Sequence, residues 1–149
     1  MGQIEPMALA LELAEQAAKL GEVPIGAVIV NGSGQILAQA HNRTILDRDP
    51  TAHAEILALR QAARALGNER LLDCDLYVTL EPCAMCAGAI SLARIRRLYF
   101  GADDAKGGAV ENGPRLFNVP TCHHAPDVYG GFRAESAAAL LRDFFKIRR

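Results

Sequence analysis

His53, Cys83 and Cys86 are the side chains whose types and spacing point most directly to chemistry. They lie in His53-Ala54-Glu55 and, about thirty residues later, in Pro82-Cys83-Ala84-Met85-Cys86. One imidazole and two thiolates suit tetrahedral Zn²⁺, and three protein ligands leave the fourth position for water. An open position belongs to a reactive metal rather than to a purely structural one. Glu55, two residues past the histidine, is too close in sequence to be an obvious fourth ligand but well placed to exchange protons with that water. Together these residues make a hydrolytic constellation.

Acidity explains why metal and carboxylate belong together. Free water, with a pKa of about 15.7, sits about 11 units above a carboxylate near 4.3, so proton transfer to Glu55 alone would cost roughly 15 kcal/mol. Zinc brings water to a pKa of about 7, which leaves about 3 units, or roughly 4 kcal/mol. Burial of a carboxylate can cover that remainder.

The elements that must position these residues follow from periodicity and turn chemistry. Pro6 opens a helix running through Met7, Ala10, Leu11, Ala14 and Ala17 to Leu20, where Gly21 stops it. Ile25 to Val30 is β-branched, Asn31-Gly32-Ser33-Gly34 is hairpin-turn chemistry, and Gln35 to Ala40 returns as an antiparallel strand. A polar loop from His41 ends at Asp49-Pro50-Thr51, where Asp or Thr can cap a helix from about Ala52 to Leu66 that Gly67 closes. Within a regular helix, His53 and Glu55 would point nearly opposite ways, about 200° apart, so the motif must sit in an irregular first turn.

Asp75 to Thr79 reads as a third strand, broken by Glu81-Pro82 before Cys83 opens a helix through Leu92 that puts Cys83 and Cys86 on one face. Both halves of the metal site then lie at helix N-termini, whose partial positive charge favours thiolate. Arg97 to Gly101 follows as a strand parallel to the third, which makes the sheet mixed. Residues 102–131 read as a long loop with one short strand near Val128-Tyr129. A last helix, from Ala134 to about Ile147, turns Ala137, Leu140, Leu141, Phe144 and Phe145 inward and ends in Arg148-Arg149.

With 149 residues, half of them hydrophobic, the chain fits one domain, 1–149, with a full-sized core. The start Met1-Gly2-Gln3-Ile4-Glu5-Pro6 has no basic lead into an apolar run, and no apolar run approaches the roughly 18 residues that span a bilayer. A cytoplasmic protein with no membrane partner is expected. In that reducing compartment, Cys83 and Cys86 serve as ligands, Cys74 as a small buried side chain, and no disulfide is expected. The net charge of −1 argues against a general nucleic-acid binder. Even so, residues 1–93 carry 6 Lys/Arg against 11 Asp/Glu, and residues 94–149 carry 10 against 6, which suggests a basic C-terminal part.

His-x-Glu followed by Pro-Cys-x-x-Cys is the known signature of zinc deaminases, and every motif position is matched. Beyond it, the chain resembles the bacterial tRNA-specific adenosine deaminases of the cytidine-deaminase-like fold along nearly its whole length. Val23-Pro24-Ile25-Gly26-Ala27-Val28, His41-Asn42-Arg43, Asp49 to Glu55, Leu76 to Ala89, Asp104-Ala105-Lys106-Gly107 and Leu140 to Phe145 carry the resemblance. Residues 108–131, with Val110 to Pro114 and Cys122-His123-His124, depart from the family pattern.

The resemblance implies an α/β fold, a three-layer α/β/α sandwich with a mixed, about five-stranded sheet. It implies one Zn²⁺ per subunit held by His53, Cys83 and Cys86, with Glu55 as the catalytic acid–base. It also implies a homodimer in which one subunit completes its partner's site, and a tRNA anticodon stem-loop whose wobble adenosine becomes inosine with release of ammonia.

On the substrate side, Asn42 matches a position that contacts the base or its sugar, and Ala54 could offer a backbone N–H. Asp104 resembles a position beside the ribose, where a carboxylate accepts from a 2′-OH, and Lys106 could meet a phosphate. Read without the resemblance, Asn42 is a turn residue, and Asp104 and Lys106 are solvated loop charges. Cys122-His123-His124 could take up adventitious metal. Arg148 and Arg149 either complement a helix C-terminus or touch RNA phosphates. The metal motif alone also admits a free nucleobase or nucleoside deaminase acting on guanine, cytosine or cytidine. More remotely, it admits a zinc-stabilised RNA-binding domain without catalysis, against which Glu55 and the open ligand position argue.

Overall fold

Four helices and five strands make up the computed structural model, which describes residues 5–148. Helix α1 spans Pro6–Lys19, with proline in its first turn and the Glu5 carboxylate accepting the N–H of Met7 at 3.1 Å. Strand β1 (Gly26–Val30) turns through Asn31, whose side-chain oxygen accepts the N–H groups of Ser33 and Gln35, into β2 (Ile36–His41). Helix α2 (Ala54–Leu66), strand β3 (Asp75–Leu80), helix α3 (Ala84–Ala93) and strand β4 (Arg97–Ala102) follow. A single 3₁₀ turn (Leu116–Asn118), strand β5 (Asp127–Tyr129) and helix α4 (Ala134–Ile147) complete the order.

The strands form one sheet in the order β2-β1-β3-β4-β5. β1 is antiparallel to both β2 and β3, whereas β3, β4 and β5 are parallel, so the expected mixed sheet is present. Helix α3 is the crossover that parallel pairing of β3 with β4 requires. Strand alternation divides the core. Ala27, Ile29, Leu76, Val78, Leu98 and Phe100 face α2 and α3, while Val28 and Val30 face Met7, Ala10 and Leu13 of α1. Helix α1 lies so close to β1 that a Cβ at Gly26 would stand 1.9 Å from the carbonyl oxygen of Ala10. No helix among the described residues is long and apolar enough to cross a membrane.

The structure corrects the expected boundaries in a few places. Helix α2 begins at Ala54 rather than Ala52, because Asp49 uses its carboxylate on the N–H and hydroxyl of Thr51, closing a turn ahead of the helix instead of capping it. Cys83 is the residue before α3 rather than its first residue. Phe145 is 48 % exposed, and Phe144, one helical step away, takes the core place. The long stretch from 102 also holds the 3₁₀ turn, for which no periodicity gives a sign. Arg149 lies outside the described residues.

Candidate metal and proton-transfer site

The site is assembled where two helices begin. His53 stands immediately before α2 with extended backbone (φ −74°, ψ 152°), and Cys83 stands in the same way before α3 (φ −74°, ψ 176°). Glu55 and Cys86 occupy the first turns of those helices, so the irregular start expected for the histidine motif is present. The chain leading into His53 is held by the N–H of Arg43, which donates to the carbonyl of Ala52 at 3.0 Å. Pro82 ahead of Cys83 is tied through its carbonyl to the N–H of Ala109 at 2.9 Å.

His53 Nδ1 lies 3.7 Å from Cys83 Sγ and 3.5 Å from Cys86 Sγ. A tetrahedral zinc with bonds of about 2.0–2.1 Å to nitrogen and about 2.3 Å to sulfur separates such ligand atoms by about 3.6 Å. The donor set and its spacing therefore fit a metal of that size. Among the described residues, this is the one group of three or more His, Cys, Asp or Glu side chains whose ligand atoms converge.

The electrostatics point the same way. Hydrogen bonding to Cys86 and His53 holds the Cys83 thiol down at about 4, and the hydrogen bond from Cys83 raises His53. Cys86 is pushed up, first by its hydrogen bond with Cys83 and then by burial, so the two thiols are driven in opposite directions. Both must be thiolates to hold a metal, so metal binding would release protons here.

Glu55 is 4 % exposed, and its Oε1 is the one fully buried side-chain nitrogen or oxygen without a hydrogen-bond partner among the described residues. Burial pushes its carboxyl up to about 7. A buried, unpartnered carboxylate costs stability unless something from outside the chain meets it. Oε1 is thus open to a ligand beside the three metal-binding atoms.

Around this centre, the other expected residues are placed as follows. Asn42 is buried, its side-chain nitrogen donating to Glu22 Oε1 at 3.3 Å. Ala54 opens α2, where first-turn N–H groups have no intrahelical acceptor. Asp104 Oδ1 accepts the N–H groups of Lys106 and Gly107 at 3.1 and 2.9 Å, so one of its oxygens is occupied by its own turn, while Lys106 is exposed. Cys122 and His124 are braced against the end of α3: Ser91 donates to the His124 carbonyl, and His124 Nε2 meets the Ile95 carbonyl at 2.7 Å. Neither joins the metal group. Arg148 reaches the Phe144 carbonyl at 3.4 Å and lies over the Phe144 ring, which is the helix-end role.

Two buried glutamates escaped the sequence reading. Glu22, fully buried, accepts from Asn42, Thr44, Ile45 and Leu46 and so shapes the loop after β2. Glu81, 2 % exposed, accepts five hydrogen bonds from Asp104, Val110, Glu111 and Asn112. Burial alone would raise the Glu81 carboxyl, but these bonds outweigh it and hold the group below its ordinary value. The available signal was a glutamate wedged among apolar residues and proline, in Glu22-Val23-Pro24 and Leu80-Glu81-Pro82.

Comparison with known proteins agrees with this geometry. The model of the MafB19-like deaminase family matches residues 1–149. A tRNA-specific adenosine deaminase of Agrobacterium fabrum is 59 % identical over 143 residues, covering 96 % of this chain and 93 % of the relative. A solved structure from studies of A-to-I editing by tRNA:A34 deaminases at the wobble position of transfer RNA superposes with a TM-score of 0.90 at 58 % identity, covering 93 % of this chain and 100 % of that one. A guanine deaminase from Nitrosomonas europaea shares the fold more distantly, with a TM-score of 0.80 at 28 % identity over 93 % of this chain and 82 % of that one. Family model, relatives and fold agree: the chain belongs to the MafB19-like deaminases and to the family of tRNA-specific adenosine deaminases.

Proposed function

We propose that this protein hydrolytically deaminates adenosine to inosine at the wobble position of a tRNA anticodon loop, releasing ammonia, with residues 1–149 acting as one deaminase domain. The observation that carries the reading is the convergence of His53 Nδ1 and the two thiolates beside the buried, unpartnered Oε1 of Glu55. The likeness to tRNA-specific adenosine deaminases then selects the substrate.

His53, Cys83 and Cys86 hold one Zn²⁺, which when bound supplies the Lewis acidity that lets a carboxylate deprotonate water. Glu55 takes that proton at its carboxylate and passes it to the ring nitrogen next to the amino-bearing carbon as the oxygen adds there; it then takes the proton of the new hydroxyl and delivers it to the amino group, which leaves as ammonia. Water and adenosine thus give inosine and ammonia, and Glu55 returns to its starting state. Asn42 and the first-turn N–H of Ala54 orient the base. The free oxygen of Asp104 faces the ribose, and Lys106 meets a phosphate.

The working form is a cytoplasmic homodimer. Met85, between the two candidate metal cysteines, is exposed, and exposed Leu92 lines an apolar groove between α2 and α3 with Ile56, Leu59, Ala63 and Ala89. A second copy covering that strip would lie next to the metal centre.

The test is to incubate zinc-loaded protein with an anticodon stem-loop and read inosine by reverse transcription. Conversion at the wobble adenosine alone is expected. Conversion elsewhere in the loop, or none, contradicts the reading.

A further inference from the structure

We propose that Glu81 is a positioning residue, whose carboxylate anchors the loop from Asp104 to Asn112 against the segment that opens α3 and thereby sets the affinity for RNA. The inference rests on the tRNA reading above, because it takes Asp104 and Lys106 as RNA contacts.

The anchor is built from both ends of the loop. Glu81 Oε1 accepts the N–H of Asp104 at 2.9 Å and the side-chain amide of Asn112 at 2.7 Å. Oε2 accepts three consecutive backbone N–H groups, those of Val110, Glu111 and Asn112, at 3.0, 2.8 and 3.0 Å. Three successive amides converging on one oxygen form an anion-binding nest, here filled by a side chain of the same protein. The first and last residues of the loop are therefore pinned to one carboxylate, two residues before the metal ligand Cys83.

The middle of the loop shows the same intimacy. A Cβ at Gly108 would stand 2.5 Å from the Glu81 carboxyl carbon and 2.5 Å from the Asp104 carbonyl oxygen. The neighbouring N–H of Ala109 donates to the Pro82 carbonyl at 2.9 Å. Within the pinned loop, Asp104 curls over the amides of Lys106 and Gly107, so the two groups assigned to ribose and phosphate ride on a frame that Glu81 holds. No reacting atom touches Glu81, which is 2 % exposed; its effect must pass through the loop.

Glu81→Gln keeps the shape but replaces one accepting oxygen with a donor, so amides on one side of the anchor lose their partner. In the zinc-loaded full chain, hydrogen exchange of the amides of residues 104–112 should quicken by about tenfold or more, with the amides of α2 and α3 unchanged. The Kd for the stem-loop and its KM should rise by about tenfold, while kcat stays within about threefold and zinc content is unchanged, the split expected when only binding contacts are loosened. Gly108→Ala, which crowds the same contact from the other side, should reproduce the rise in KM, and the double variant should be less than additive.

Unchanged exchange in the loop overturns the proposal, as does faster exchange with unaltered Kd and KM. Loss of zinc, or general loosening of α2 and α3, would make Glu81 part of the folding frame and overturn it as well. If Glu81→Gln does not fold, a folded Gly108→Ala with wild-type KM overturns it. The wild-type protein judges the tRNA reading by binding and deaminating the stem-loop or failing to, and its failure overturns both; the ratio of variant to wild type judges the anchor alone.

Discussion

Replacing Glu55 by Gln separates proton transfer from metal binding. The side chain is 4 % exposed, and its Oε1 has no partner within the chain, so the amide fills the same space and breaks no hydrogen bond to that atom. The three converging ligand atoms belong to other residues, so metal content should stay at one zinc per chain. Exchanging a buried carboxylate, whose charge burial disfavours, for a neutral amide should leave thermal stability equal or higher. The rate should suffer instead. A positioned acid–base contributes about 10²–10⁴-fold, which corresponds to about 2.7–5.4 kcal/mol of barrier. The assay is single-turnover inosine formation on an anticodon stem-loop, with zinc measured on the same sample and melting followed by circular dichroism. A Glu55→Gln protein within about tenfold of wild type would refute the proton-transfer role. A folded variant that has lost its zinc would make Glu55 a ligand instead.

Cys83→Ala removes one of three ligands, so the variant should purify with little zinc and melt below wild type, because metal binding is coupled to folding; full occupancy by elemental analysis would remove Cys83 from the ligand set. Lys106→Ala should lower the slope of log affinity for a stem-loop against log salt by about 0.7–0.9, the loss of one phosphate contact, and an unchanged slope in a salt titration would strike Lys106 from the interface. Gly26→Ala forces a methyl to within 1.9 Å of the Ala10 carbonyl, so α1 must shift, and denaturant unfolding should show a loss of about 2–3 kcal/mol. Wild-type stability there would mean that α1 does not pack as described.

The convergence of the candidate metal ligands was the most legible feature of the sequence because its requirements are local. Histidine and cysteine at metal-ligand spacing, with a glutamate two residues from the histidine, need only two helix starts to converge, and extended backbone at His53 and Cys83 provides them. The sheet was legible for the same reason: β-branched runs, the Asn31 turn and the short connection through α3 constrain strand direction. Helix boundaries were less so. Asp49 reads as a cap, but its carboxylate is captured by Thr51, a choice that depends on the loop's tertiary course. Phe144 and Phe145 are equally apolar, and only the packing partner of α4 decides which is buried. Glu22 and Glu81 were hidden because their partners lie about 20 to 30 residues away and many are backbone amides, which leave no signature in a sequence. Glu81 orders the first residues of the stretch 108–131 through the backbone N–H groups of Val110, Glu111 and Asn112 and the side-chain amide of Asn112.

The central claim, that a metal-assisted deaminase centre serves a tRNA loop, is tested most directly by ammonia release from four substrates at matched concentration: an anticodon stem-loop, free adenosine, guanine and cytosine. Contacts remote from the reacting carbon orient it, and only the stem-loop can use them. The stem-loop should therefore turn over at least about 10²-fold faster than adenosine, with guanine and cytosine unreacted. Rapid turnover of guanine or cytosine with an unreacted stem-loop would contradict the account.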